Sequence, residues 1–498
     1  MVNKHLPWIG VAAIAIWIVI DMSRLVAANW AFTTDDTYIT LRYAHNLAHG
    51  DGVTWNPGEE PVEGYSNFSY VLVGAAALAV DADPVLVFKL LGLAALAGTC
   101  VMLFLLARCW VGPLASAIPA LLLTRYLGSA YWVTSGLETP VYQFLVVASV
   151  TMFARALRER VPSRRGLVVS SGLAFLASLT RPEGPLVAIS LAIALVLHVI
   201  RADGSWRERA GHVLVFALAF AIPYTVYFGW RLVQFERLLP NSVACKALYG
   251  GDDMQLVHMY RALALPYAVP ALVHDWRKID ARIVAMLLVP LAYVFVLRGV
   301  DPIIGAYNRH ALTAWTLLLV PAVIGAANAM AWLRVPERRR EWFVLVFALV
   351  WMIVDRGLDR RAVLGAHTLQ YAERSNDRHD VGRWLRDRLG PTDAYVVGDC
   401  GVIPYVAGGV AIDAFCLNNR EMTEPPIRGS RTKLIDRIYE RAPRYLVVHS
   451  QSSAALKPRP EYGFYEALVS DPRFASYEHR VTFGGSGGAF AYWIYQRR

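Results

Sequence analysis

The chain is poor in cysteine, lysine and charge. Five cysteines among 498 residues are an odd number with no metal-like spacing, which argues against a cysteine-built metal site. Six of the 49 basic residues are lysines, a bias we read as codon composition rather than mechanism. No internal repeat or low-complexity linker occurs, and no GxGxxG loop that would cradle a nucleotide. Charged residues make up only 18% of the chain.

Apolar residues are what the chain has in excess: 56% are hydrophobic, and the mean hydropathy is +0.38. Runs such as 85–107, 141–156, 187–200 and 313–333 approach or reach the length that a helix needs to cross a bilayer. Their number excludes a soluble helical protein and defines a polytopic α-helical membrane protein. The net charge of +10 does not point to nucleic acid, because its basic residues cluster in short loops between apolar runs. That pattern orients a membrane protein.

Loop charge gives a topology. Residues 155–165, 201–209, 277–282 and 334–340 are the richest basic loops and are expected in the cytoplasm. The pairs 166–180 with 184–200, 212–230 with 254–272, and 282–298 with 311–333 each go out and return. Run 342–354 then exits, placing the polar tail outside. Runs 138–154, 113–132 and 85–107 complete the parity toward the N-terminus. Lys4 and the run 6–20 read as a retained first span with a cytoplasmic N-terminus, although Ala27-Ala28-Asn29 resembles a weak cleavage site. The segment 65–80 breaks parity if it spans, so it is expected to lie along the outer membrane face. The expectation is about eleven spans. Residues 1–355 form the transmembrane part with a first outer loop over 30–84, and 356–498 an extracytoplasmic α/β domain.

The first outer loop opens with Thr34-Asp35-Asp36-Thr37-Tyr38-Ile39. Residues 36–49 read as a helix that starts at Thr34 or Asp35 and stops at Gly50, with Ile39, Tyr43 and Leu47 on one apolar face. Carboxylates in a first turn often serve as caps, worth about 0.5–2 kcal/mol. Paired carboxylates beside a membrane span also suit acid/base work on a lipid-linked substrate. Both roles stay open for Asp35 and Asp36.

The string from Asp35-Asp36 through Arg42-Tyr43-Ala44, Asn46-Leu47, Gly50 and Gly52, then Asn56-Pro57-Gly58-Glu59 and Val62-Glu63-Gly64-Tyr65-Ser66-Asn67-Phe68, resembles the first loop of bacterial GT-C glycosyltransferases. It is most similar to the group of terminal arabinofuranosyltransferases and related mannosyltransferase-like enzymes. Similarity continues at Thr134-Ser135-Gly136-Leu137-Glu138-Thr139-Pro140 and Thr180-Arg181-Pro182-Glu183-Gly184. It extends through Arg231, Leu239-Pro240-Asn241-Ser242 and Lys246 to Gly398-Asp399-Cys400-Gly401 and Ile412-Asp413. The resemblance implies inverting transfer of a sugar, arabinofuranose or mannose, from a polyprenyl-monophosphate donor. The acceptor would be a hydroxyl on a glycan, lipid or protein of the envelope, at the outer face of a bacterial inner membrane. An acidic residue of the first loop would be the general base.

For that chemistry Asp35 or Asp36 is expected to stay ionised, because a helix N-terminus lowers its pKa. The pair with water would also suit Mg²⁺, Mn²⁺ or Ca²⁺. The leaving phosphate needs donors in a dry site. Arg181, Arg309, His310, Lys246 and Arg42 are the candidates, Arg181 foremost, with ion pairing to Glu183 or snorkelling as the alternative for the arginines. Glu138, Glu63, Tyr65 and Asn67 are candidates for sugar or acceptor. Tyr224, Tyr227, Phe228, Trp230, Tyr260 and Tyr267 would either line a lipid groove or form an interfacial belt.

In the tail, 377–389, 433–441 and 461–470 read as helices, and 394–397, 410–414, 445–449 and 490–495 as strands. Asp399 falls just after a strand, a common ligand position in open sheets and equally a turn position. Cys400 and Cys416 would pair if the domain faces an oxidising compartment, or remain free thiols. A transporter or flippase for lipid-linked sugars is the rival class, as is a polymerase or ligase of lipid-linked saccharides. Missing repeats and site residues at helix ends speak against transport.

Overall fold

The computed structural model describes residues 5–158, 161–202, 205–248, 280–297, 306–354, 360–460, 463–484 and 490–498. The expected span 254–272, with Tyr260 and Tyr267, lies outside them. The chain divides into two compact units. One holds the described residues of 1–30, 88–230 and 250–366, the other those of 31–87, 231–249 and 367–498. Residues 31–87, expected with the transmembrane part, thus pack with the C-terminal residues.

The first unit is helical. Its long apolar helices include Leu6–Ala28, Gly184–Arg201 and Arg309–Trp332, and the helices Pro84–Ala107 and Trp206–Phe235 run largely within it. Among the described residues five helices are long and apolar enough to cross a membrane, or six counting one bent pair, and three shorter apolar helices accompany them. The protein is a multi-pass membrane protein. Leu214, Leu218, Ile222 and Val226 stay exposed on one helix, as suits side chains facing lipid rather than water. Inside, small polar side chains join helices: Ser149 donates to the Ser170 carbonyl at 2.8 Å, Ser171 to the Phe216 carbonyl at 2.7 Å, and Gln143 to Thr316 at 2.6 Å. Such bonds replace the hydrophobic drive that lipid does not supply.

The run 113–132, expected as one span, is broken. Tyr126 is extended between Pro113–Arg125 and Leu127–Thr134. Leu127–Thr134 and Thr139–Ala156 then form the pair bent by 117°. Gly136, at φ +79°, supplies the turn that places Glu138 at the next helix start.

The second unit is built on a five-stranded sheet in the order β2-β1-β3-β5-β4. The strands are β1 Ala394–Val397, β2 Val410–Asp413, β3 Tyr445–Ser450, β4 Tyr477–Phe483 and β5 Ala491–Arg497. β1 is parallel to β2 and β3, while β5 is antiparallel to β3 and β4. β3 is buried along its whole length, as a central strand covered on both faces should be. One face packs on Val381 and Leu385 and, from the first loop, on Ile39, Tyr43, Trp55 and Tyr65. The other packs on Leu434, Ile438, Phe464 and Leu468. The first-loop helix runs Asp35–Ala48, and the segment expected on the membrane face forms Phe68–Ala79, too short to span. β4 was not expected from the sequence, and the helix expected over 377–389 is the end of a longer one, Arg360–Arg386.

Candidate functional site

In the second unit the first turn of the Asp35–Ala48 helix carries both acids, with Thr34 as N-cap and no side-chain capping bond. The carboxylate of Asp35 caps a different helix. Its Oδ2 accepts from the Gly401 N–H and its Oδ1 from the Val402 N–H, both at 2.9 Å, where Val402–Ala407 begins. The Asp35 N–H donates to the Tyr371 hydroxyl at 3.0 Å. Arg378 Nε lies 3.5 Å from Asp35 Oδ1 and donates to Asp399 Oδ2 at 2.8 Å. Tyr492 donates to the same Asp399 oxygen, and His449 Nε2 stands 3.8 Å from Asp399 Oδ1. Two carboxylates therefore share one buried guanidinium.

Burial works against the helix dipole at Asp35. Desolvation outweighs the Arg378 charge and pushes the Asp35 carboxyl up to about 6. Asp399 is buried too, but Arg378, then His449 and the Tyr492 hydroxyl, hold it well below the usual carboxylate range. Burial lowers His449 to about 4, so its imidazole is neutral at pH 7. Asp36 is only half-buried. With both Asp35 oxygens taken by N–H donors and a guanidinium alongside, the pair does not fit a shared divalent cation. No group of three or more metal-ligating side chains occurs among the described residues.

The other first-loop candidates are held by their neighbours. Arg42, buried, donates to the carbonyls of Trp55, Pro404 and Gly409 and to Asn56 Oδ1. It pins the loop to the sheet unit, which leaves it no evident phosphate role. Glu63 pairs with buried Arg231 at 2.6 Å, and burial raises its pKa despite that partner. The Tyr65 carbonyl accepts from Ser242, and Asn67 accepts from Thr40 at 3.0 Å. Lys246, half-buried, follows Cys245, whose disulfide is to Cys416. Of the two alternatives for Cys400, a pair with Cys416 or a free thiol, the structure has the second: Cys400 is a buried free thiol.

In the first unit the structure brings Glu138, Arg181, Arg309 and His310 together. Glu138 is wholly buried at the Thr139–Ala156 helix start. Its Oε1 accepts from Arg181 at 2.8 Å and from Arg309 at 2.7 Å. Arg181 also donates through Nε to Glu183 at 2.7 Å, and its Nη2 lies 2.8 Å from His310 Nδ1. Two guanidinium and two carboxylate groups balance, so the cluster offers oriented N–H donors rather than a net field.

Sequence reasoning missed Tyr371, Arg378, His449 and Tyr492. For Tyr371 and Arg378 the signal was helical spacing: 371, 374 and 378 continue the face that carries buried Val381 and Leu385.

Residues 366–495 match a family model described as a domain of unknown function, DUF8728. No curated protein matches the sequence. Solved structures match along nearly the whole chain. ArnT from Cupriavidus metallidurans bound to undecaprenyl phosphate is 13% identical, with TM-score 0.57, covering 96% of this chain and 98% of its own. The oligosaccharyltransferase AglB from Archaeoglobus fulgidus, in complex with an inhibitory peptide and a dolichol-phosphate, is 12% identical, with TM-score 0.56, covering 96% and 74%. The arabinofuranosyltransferase AftD from Mycobacteria is 16% identical, with TM-score 0.50, covering 97% of this chain and 40% of that one. The fold is that of the GT-C membrane glycosyltransferases.

Proposed function

We propose that this protein is an inverting glycosyltransferase that moves arabinofuranose or mannose from a polyprenyl-monophosphate donor to a hydroxyl of an envelope glycan, lipid or protein. Asp36 is the general base. The observation that carries the reading is the division of labour in one helical turn: Asp35 is buried and bonded through both oxygens, while Asp36 beside it is half-buried. The likeness in fold to proteins solved with undecaprenyl phosphate and dolichol-phosphate supports the donor class.

In the reaction the acceptor oxygen forms a bond to the anomeric carbon as its proton passes to the Asp36 carboxylate. The bond from that carbon to the phosphate oxygen breaks on the opposite face, and polyprenyl phosphate leaves with the electron pair. A base needs to take the proton only as the new bond forms, so an ordinary carboxylate suffices if well placed. Within the first unit, we assign Arg181, Arg309 and His310 a phosphate-binding role. Glu138 and Glu183 hold those guanidinium groups in fixed orientation, and preorganised donors stabilise developing charge best. The Cys245–Cys416 disulfide supports an oxidising, extracytoplasmic setting for the second unit. We place the chain in a bacterial plasma membrane with its N-terminus in the cytoplasm.

The test uses membranes from cells making wild type or Asp36→Asn, supplied with radiolabelled polyprenyl-phosphate arabinofuranose or mannose. Label should reach an envelope acceptor only with the wild type. A wild-type rate in the variant would remove Asp36 as the base.

A further inference from the structure

The C-terminal sheet has a topological switch point. From β1 the chain crosses to β2 on one side, then returns to β3 on the other. Open α/β sheets bind ligands in the crevice at the carboxyl ends of the strands flanking such a point. Here that crevice follows Val397 of β1 and Ser450 of β3, and it already has an occupant. The Gly401 and Val402 N–H groups after β1, which would receive an anionic ligand, receive the Asp35 carboxylate. Arg378 bridges this carboxylate to Asp399 in the β1 turn, with its Nη1 buried and unbonded. Tyr492 of β5 completes the far side.

Gly401 records how close the approach is. A Cβ there would lie 1.9 Å from the Asp35 carbonyl oxygen and 2.5 Å from its Cγ. No side chain larger than hydrogen leaves the contact intact. Each of these groups lies in the second unit, so the contact is a feature of one packed body.

We propose that the C-terminal sheet uses its ligand crevice as a socket for the first loop, with Arg378 and Gly401 as positioning residues that fix Asp36 through Asp35. The domain of unknown function then works as the rigid mount of the base, and Asp35 as the plug rather than a proton acceptor. The inference rests on the reading of Asp36 given above. Misplacing a reacting group by about 1 Å costs up to roughly a hundredfold in rate, so a loosened socket shows in turnover before it shows in donor binding.

The experiment uses the full-length protein in nanodiscs with farnesyl-phosphate arabinofuranose and mannose as donor probes. Arg378→Ala and Gly401→Ala should lower kcat by about tenfold or more with donor KM within about twofold. Arg378→Lys, which keeps the charge, should recover part of the loss. Hydrogen exchange should speed up at the amides of 35–48 and 398–405 in the same variants, since local opening sets that rate. Tyr439→Phe, which removes the 2.7 Å bond to the Leu468 carbonyl on the opposite sheet face, should leave kcat and exchange at 35–48 unchanged. Wild-type kcat in Arg378→Lys and Gly401→Ala, or unaltered exchange at 35–48, would overturn the socket. Retained transfer in Asp36→Asn would instead overturn the base assignment, and the exchange measurement would still decide the socket. Should Arg378→Ala fail to fold, the other two variants carry both readouts.

Discussion

Arg181 and Arg309 meet on a single oxygen, Oε1 of Glu138, at 2.8 and 2.7 Å. Two cations converge on one buried anion, and Glu183 balances the second charge. Removing one partner of a buried pair leaves the other charge uncompensated, at a cost of about 3–5 kcal/mol. Glu138→Ala should therefore lower the melting temperature in detergent more than Glu183→Ala, because it strands two guanidinium groups. Equal melting of both variants would show that the shared oxygen is not the centre of the cluster.

Asp413 gives the clearest pH dependence. It accepts from the Phe415 and Asn418 N–H groups, yet burial pushes its carboxyl up to about 6 from an ordinary 3.8. A raised folded-state pKa contributes stability that is complete below 3.8 and is lost as the pH climbs through about 6. His449 runs the other way, since a base lowered to about 4 loses stability as the pH falls through that range. The two overlap in the wild type, so the informative quantity is a difference. Wild-type stability relative to Asp413→Asn should decline between pH 4 and pH 6 by about 1.4 kcal/mol per unit, then level off. A flat difference would place the Asp413 pKa near its ordinary value.

Much of this was legible in the sequence. Helix starts and stops around Thr34 and Gly50, four of the five strands and the membrane character follow from local patterns of charge, apolarity and turn residues. The resemblance to the GT-C glycosyltransferases also rested on consecutive residues. What escaped depends on contacts far apart in sequence. Asp35 caps a helix 366 residues onward, and no local rule distinguishes that from capping its own. Cys245 finds Cys416 rather than Cys400 because the Asn241–Lys246 helix packs there, with Asn241 donating to the carbonyls of Cys416 and Leu417. β4 alternates weakly and has an irregular register near His479, which hides its period.

The disulfide leads to a third prediction. It closes a loop with a sequence separation of 171, and chain-entropy reasoning assigns such a crosslink about 5 kcal/mol. Cys245→Ser and Cys416→Ser should each melt earlier than wild type, and by the same amount. The wild type should gain mobility on a non-reducing gel, while Cys400→Ser should migrate and melt as wild type does. Loss of the gel shift in Cys400→Ser would reassign the pairing.

Donor recognition gives the last prediction. Each guanidinium nitrogen of Arg181 already makes one bond, to Glu183, Glu138 and His310, which leaves one further N–H on each of Nη1 and Nη2. Arg181→Ala should thus reduce stability and transfer together and say little about phosphate. His310 is half-buried, with Arg181 Nη2 at 2.8 Å from its Nδ1. If the cluster receives the leaving phosphate, His310→Ala should raise donor KM and lower kcat/KM by about tenfold, the scale of one charge-assisted hydrogen bond. The melting temperature should stay near that of wild type. His310→Gln, which keeps a donor nearby, should recover part of the loss. An unchanged donor KM in His310→Ala, measured with farnesyl-phosphate arabinofuranose and mannose, would make Glu138, Arg181 and Arg309 a brace between helices rather than a phosphate site.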